Sequence, residues 1–199
     1  MASKEAQTDF PIHPLLVERW SPRAFQEKEI EQEKLNTLFE AARWSPSGSN
    51  QQPWCFIIGL KGDETYKKLF NCLVEFNQIW TKNVPVLVLS CGKKVMNEKE
   101  RINPSYMYDV GQSVAYLTFQ AMHLGLYVHQ MGGFDKEMAV RLFDIPAMFK
   151  PITVIAIGYI GDYSILPERM QKSELAVRTR FKASDWVFSG KFGQKSALY

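Results

Sequence analysis

Two stretches of this chain, Pro85-Val86-Leu87-Val88-Leu89-Ser90-Cys91 and Ile152-Thr153-Val154-Ile155-Ala156-Ile157-Gly158-Tyr159, carry almost no polar side chains. A strand with one face in water alternates apolar with polar residues, so a strand that does not alternate needs cover on both faces. Any fold built on these runs must sandwich a sheet between helices. Trp54-Cys55-Phe56-Ile57-Ile58 reads as a third strand, aromatic and β-branched, entered from a polar loop. The helices are legible too. From Glu31 to Trp44, Leu35, Leu38, Phe39 and Ala42 recur at helical spacing until Ser45-Pro46 stops the pattern. Val110, Val114, Leu117, Ala121 and Leu124 line one side of a long helix, with Gly125 placed as a C-terminal cap. Asp135 opens a shorter helix, Lys136 to Phe143, limited by Pro146. The class is α+β, a mixed α/β three-layer arrangement with a central sheet flanked by helices.

At 199 residues and 22.9 kDa, the chain is sized for one core, and no repeat, low-complexity tract or Gly/Ser linker divides it. We read residues 1–199 as a single domain. Lys plus Arg number 24 against 21 Asp plus Glu, and the basic residues are scattered, which argues against nucleic acid as a partner. Cys55, Cys72 and Cys91 form no CxxC pair, which fits a reduced, cytoplasmic setting. The start MASKEAQTDFPIH has no apolar signal core, and no uncharged apolar stretch reaches membrane-spanning length, so no membrane partner is expected.

Two polar segments break the apolar pattern. In Arg19-Trp20-Ser21-Pro22-Arg23-Ala24-Phe25, two arginines flank a serine and offer charge-assisted donors to one compact anion such as a phosphate. By itself this pattern also describes a solvated turn before a helix. In Pro46-Ser47-Gly48-Ser49-Asn50-Gln51-Gln52-Pro53, amides and hydroxyls crowd a loop between helix and strand and can meet the donor and acceptor edge of a heterocycle.

Together these segments resemble the opening of the nitroreductase family. The likeness runs through Arg19-x-Ser21-x-Arg23-x-Phe25, Ala41-Ala42-Arg43-Trp44-Ser45-Pro46-Ser47 and Asn50-x-Gln52-Pro53-Trp54. It continues through Asp109-Val110-Gly111, Ala121-Met122-His123-Leu124-Gly125-Leu126, Gly132-Gly133-Phe134-Asp135, Ile157-Gly158-Tyr159 and the tail Asp185-Trp186-Val187-Phe188-Ser189-Gly190-Lys191-Phe192-Gly193. The resemblance implies an intertwined homodimer with two FMN sites at the subunit interface. It implies ping-pong transfer of hydride from NADH or NADPH, through the flavin N5, to small acceptors such as nitroaromatics or quinones. Arg19, Ser21 and Arg23 match the segment at the FMN phosphate and ribityl end, with Arg178 or Arg180 as a late phosphate-binding residue. Pro46, Ser47, Gly48, Asn50 and Gln52 match the loop that the partner subunit lays along the flavin. Asn77 resembles a further flavin-contacting asparagine. Gln130, Met131, Gly132 and Gly133 match the segment whose backbone approaches N5, and no side chain is expected to be catalytic.

Trp20 stands where a basic residue is frequent, and Gly132 where some members carry an acid. No GxGxxG follows a strand and no P-loop occurs, so nicotinamide would have to stack on the flavin. His123 and His129 do not share a helical face and lack companion ligands, so no metal is expected. Trp44, Trp54, Trp80 and Phe134 fit either flavin or acceptor walls or the core. Two other readings stay open: a different flavin chemistry on the same fold, and a non-catalytic FMN-binding or redox-sensing protein.

Overall fold

The structure, a computed structural model, describes residues 4–96 and 101–199. Its elements in order are α1 (Pro14–Glu18), α2 (Gln32–Arg43), β1 (Trp54–Leu60), α3 (Glu64–Cys72), α4 (Glu75–Thr81), β2 (Val86–Lys93), β3 (Val95–Met96), β4 (Arg101–Ile102), α5 (Tyr106–His123), β5 (Tyr127–Met131), α6 (Lys136–Leu142), β6 (Phe149–Gly158) and α7 (Glu168–Leu175). A four-stranded sheet in the order β1-β2-β6-β5 is antiparallel throughout, and β3 and β4 form a separate small ribbon.

The two apolar runs lie side by side at the sheet's centre, where the expectation of double cover is met. Alternate residues of β2 and β6 point to opposite faces. Leu87, Leu89, Val154 and Ala156 pack with Leu69 of α3, Trp80 of α4 and Ala139 of α6 on one side. Val86, Val88, Ile155 and Ile157 meet Leu35, Leu38 and Ala42 of α2 and Val110, Val114, Leu117 and Ala121 of α5 on the other. The result is three layers, with α5 as the spine of one of them.

Local chemistry sets the ends. Asp135 caps α6, its side chain accepting from Met138 N at 2.8 Å. At the end of α5, Gly125 takes φ +75°, its N–H bonds Met122 O at 3.1 Å, and Leu126 N–H bonds Ala121 O at 2.8 Å. This is the left-handed cap that only glycine enters without strain. The tight stop sends the chain straight into β5.

Beyond α7 the described chain holds only a 3-10 turn at Ala183–Asp185 and a Phe188–Lys195 bridge, and Val177, Phe181, Trp186, Phe192 and Leu198 stand exposed along it. Among the described residues no helix is long and apolar enough to cross a membrane.

Candidate functional site

The Arg19–Arg23 segment leaves α1 and runs to Phe25, which bridges Ile160 just past the end of β6. Its bend rests on β5. His129 Nδ1 lies 2.8 Å from Pro22 O, and a carbonyl only accepts, so the ring donates from Nδ1. The His129 ring in turn packs on Trp80, with centroids 4.6 Å apart. Burial, ahead of every other influence, pushes the imidazole pKa down to about 4, and the neighbouring Arg23 charge acts in the same direction. A neutral histidine therefore supports the bend.

Arg23 is fixed from behind. Its N–H donates to Glu174 Oε2 at 3.1 Å, and its guanidinium lies 3.6 Å from Oε1. Glu174 is almost wholly buried, and desolvation raises its pKa against the pull of the Arg23 N–H and guanidinium. The Arg23 Nε is buried with no hydrogen-bond partner among the described residues.

Three more guanidinium groups matter. Arg19 has a lowered pKa, caused first by burial and then by the charges of Arg178 and Arg180. Among the described residues none of these three joins an ion pair, so like charges gather without a carboxylate to balance them. Arg19 Nη1 reaches Ser21 Oγ at 3.5 Å. Arg178 is tied down, with Nη1 donating to Lys4 O at 2.8 Å and Val17 O at 2.6 Å. Arg180 is exposed, and among the described residues its guanidinium bonds only the carbonyl of the preceding residue, Thr179 O, at 2.7 Å. Repelling cations with spare donors are the chemistry of an anion seat, and a phosphate monoester fits them.

A second wall follows β5. Gly133 O accepts from Asn77 Nδ2 at 3.0 Å and from Val74 N at 3.2 Å, and Asn77 Oδ1 faces Trp80 Nε1 at 3.4 Å. Asn77 thus has both ends of its amide committed and shapes the turn from behind. A Cβ on Gly133 would sit 3.0 Å from Asn77 and Val74 atoms, whereas one on Gly132 would meet open space. Only at the second glycine would a side chain crowd its neighbours. Gln130 is exposed, and the Met131 side chain is buried in the core.

The polar loop lies elsewhere. Pro53 O accepts from Lys93 N at 2.8 Å, and Lys93 pairs with Phe149 at the start of β6. Ten residues of β6 separate that end from the Arg19–Arg23 end, about 30 Å at 3.3 Å per residue. Ser47 Oγ accepts from Gln52 N at 3.0 Å, Gln52 Nε2 donates to Asn50 O at 3.1 Å, and Gly48 N donates to buried Asp109 Oδ2 at 3.3 Å. Ser49, Asn50 and Gln52 all adopt left-handed backbone, at φ 50°, 53° and 48°. Pro46, Asn50 and Gln52 are exposed. One chain therefore holds the arginine segment and the polar loop toward opposite ends of β6, where they do not meet.

Sequence reasoning did not reach Glu174, which sits in a polar helix with no local signal. Asp109 does carry a local cue, a carboxylate at an apolar helix face before Val110 and Val114. Of the four aromatics left open, Trp80 and Phe134 are core, Trp54 packs partly buried against the α2–α5 layer, and Trp44 is exposed. Among the described residues no His, Cys, Asp and Glu cluster suits a metal.

Known proteins share this chain's sequence pattern and its fold. The profile described as the Nitroreductase family matches residues 16–159. A protein of Mycolicibacterium smegmatis described only as an uncharacterized 15.4 kDa protein is 31% identical over 146 residues, spanning 69% of this chain and 97% of its own. A putative NADH dehydrogenase/NAD(P)H nitroreductase of Methanothermobacter thermautotrophicus is 28% identical, over 71% of this chain and 73% of its own. A solved structure described as an oxidoreductase containing FMN superposes with a TM-score of 0.90 at 36% identity, covering 98% of this chain and 100% of that one.

Proposed function

The chain belongs to the nitroreductase family, and from that premise we propose that it uses FMN to carry reducing equivalents from NADH or NADPH to a small acceptor such as a nitroaromatic or a quinone. The observation that carries this reading is the group of guanidinium side chains at Arg19, Arg178 and Arg180, unbalanced by carboxylates and adjoining the Arg19–Arg23 bend. When bound, FMN would supply hydride chemistry at N5, in separate donor and acceptor half-reactions that make the kinetics ping-pong.

The protein's share is to bind and orient. Arg19, Ser21, Arg23 and exposed Arg180 hold the phosphate, while Arg178 pins the N-terminal segment against α1. The backbone of Gly132 and Gly133, flanked by Gln130 and Met131, faces the flavin, and Asn77 sets that turn. Pro46, Ser47, Gly48, Asn50 and Gln52 serve the site of a second copy of the chain, because their own arginines lie a sheet-length away. A homodimer is the assembly in which both half-sites are used. No side chain is assigned a bond-making task. Burial raises the pKa of all three thiols, Cys91 to about 12, which keeps thiolate scarce. Three free cysteines also fit a reducing cytoplasm.

The test is spectroscopic. The purified protein should be yellow with about one FMN per chain, its flavin band should bleach with NADH or NADPH without oxygen, and a quinone or nitroarene should restore it. A protein that cannot be loaded with FMN would remove the cofactor assignment. Flavin that binds but does not bleach would leave a binding protein instead of an enzyme.

A further inference from the structure

The Gly132–Gly133 turn leads into α6, and α6 forms one wall of a cavity of about 640 Å³ whose other walls include the starts of α5 and β6. Four cations line it, Lys94, Lys136, Arg141 and Lys150, against one carboxylate, Glu137. Among the described residues none of the four joins an ion pair. Lys136 Nζ lies 5.8 Å from the ring centroid of Phe134, the residue after Gly133, so this charge stands beside the turn. Across the cavity, Pro151 is three residues from Val154, which pairs with Met131 just ahead of Gly132. Tyr106 and Phe149 add ring surface to the lining.

The composition of this lining selects its guest. Four positive charges around one negative charge repel one another, and an anion relieves that repulsion. A free phosphate would leave most of the volume empty, because a cavity of this size suits a ligand with an organic body. Ring surface from Tyr106 and Phe149 fits the face of a nucleobase. An adenosine with a phosphomonoester meets both demands: the base lies along the rings, and a phosphate carrying nearly two charges at neutral pH meets the guanidinium and ammonium donors. NADPH has such a group and NADH does not, since the two differ only in the phosphate on the 2′ oxygen of the adenosine ribose.

We propose that this cavity binds the adenosine 2′-phosphate of NADPH, with Lys136, Arg141 and Lys150 on the phosphate and Tyr106 and Phe149 along the adenine, and that NADPH is therefore the preferred donor. The inference rests on the proposed transfer from a nicotinamide to the flavin and adds which nicotinamide is used. With its reactive ring stacked on a flavin at the Gly132–Gly133 turn, the dinucleotide runs past Lys136 along α6 into the cavity. Glu137 opposes the phosphate from the same wall.

Isothermal titration of the full-length protein, with its flavin as purified, provides the test, using adenosine 2′,5′-bisphosphate as probe and adenosine 5′-monophosphate as the control that lacks the 2′-phosphate. The bisphosphate should bind about tenfold more tightly or better. R141A and K150A, both at exposed positions, should each weaken it by about fivefold or more, while E137Q should tighten it. K67A removes an exposed lysine outside the cavity and serves as the charge control. Anaerobic bleaching of the flavin gives a second readout: half-saturation is expected at about tenfold less NADPH than NADH, with that ratio falling toward one in R141A/K150A. Equal binding of the two nucleotides, adenosine 5′-triphosphate binding as tightly as the bisphosphate, or K67A weakening it as much as R141A would overturn the proposal. Bleaching by both donors with no preference for NADPH would overturn it too and leave the flavin reading intact. If neither donor bleaches the flavin, the oxidoreductase reading fails, and the bisphosphate titration still decides the site.

Discussion

Burial keeps the His129 ring neutral while its Nδ1–H holds the Pro22 carbonyl, and that links one residue to the stability of the whole chain. Its folded pKa, about 4, lies below the value of about 6.5 expected when unfolded. The unfolded state therefore takes the proton first. The contribution is complete above pH 6.5 and is lost as pH falls toward 4, at no more than about 1.4 kcal/mol per pH unit. Glu174 titrates in the opposite sense, because its folded pKa is raised. The informative quantity is thus the difference between wild type and H129Q in chemical denaturation: the variant should show a shallower loss between pH 6.5 and 4. Equal slopes would mean that the ring is not held neutral. Arg23 offers a second test. R23A should weaken FMN by about 1.5 to 3 kcal/mol, the range for a hydrogen bond to a charged group, read by flavin titration. Because Glu174 would be left buried without its cation, R23A should also lower the melting temperature. R23A/E174Q should recover stability without recovering FMN affinity, and recovery of both would assign Arg23 a structural task alone.

The loop from Pro46 to Gln52 holds three left-handed non-glycine residues, an arrangement that persists only where neighbours impose it. Asp109, 2% exposed in the first turn of α5, is one such neighbour through Gly48 N. D109N keeps the shape and removes the charge, so the loop should loosen and FMN should leave about tenfold faster, which stopped-flow dilution of loaded protein would measure. An unchanged release rate would detach the loop from the site. The long elements were legible because periodicity needs length: α2, α5, β2 and β6 could be read from the spacing of their apolar residues. β5 could not. It has five residues, two of them His129 and Gln130, and it belongs to the sheet because β6 pairs with it. α3, α4 and α7 were not read, and strand direction is invisible to a pattern that repeats identically in both directions. At the site, the arginines and the amide loop stood out as polar residues beside apolar runs. Glu174 did not, because its partner Arg23 lies 151 residues away.

For the molecule as a whole, a tail that exposes Phe181 at 86% and Phe192 at 95% has apolar surface that a second chain would cover. Light scattering should give a flavin-bearing particle of about twice 22.9 kDa. F181S/F192S should shift the equilibrium toward free subunits and release flavin with it, and a stable yellow monomer would contradict the shared site. The sheet-length gap between the two half-sites also makes genetic use of the protein possible. In the proposed dimer a chain disabled at Arg23 and a chain disabled at Asn50 fail in different halves, so each should be inactive when made alone. Coexpressed, they can rescue one another: in every mixed pair one catalytic centre inherits both lesions and the other inherits none. With random pairing about a quarter of all centres should be intact, a fraction fixed by combinatorics and independent of which acceptor is supplied.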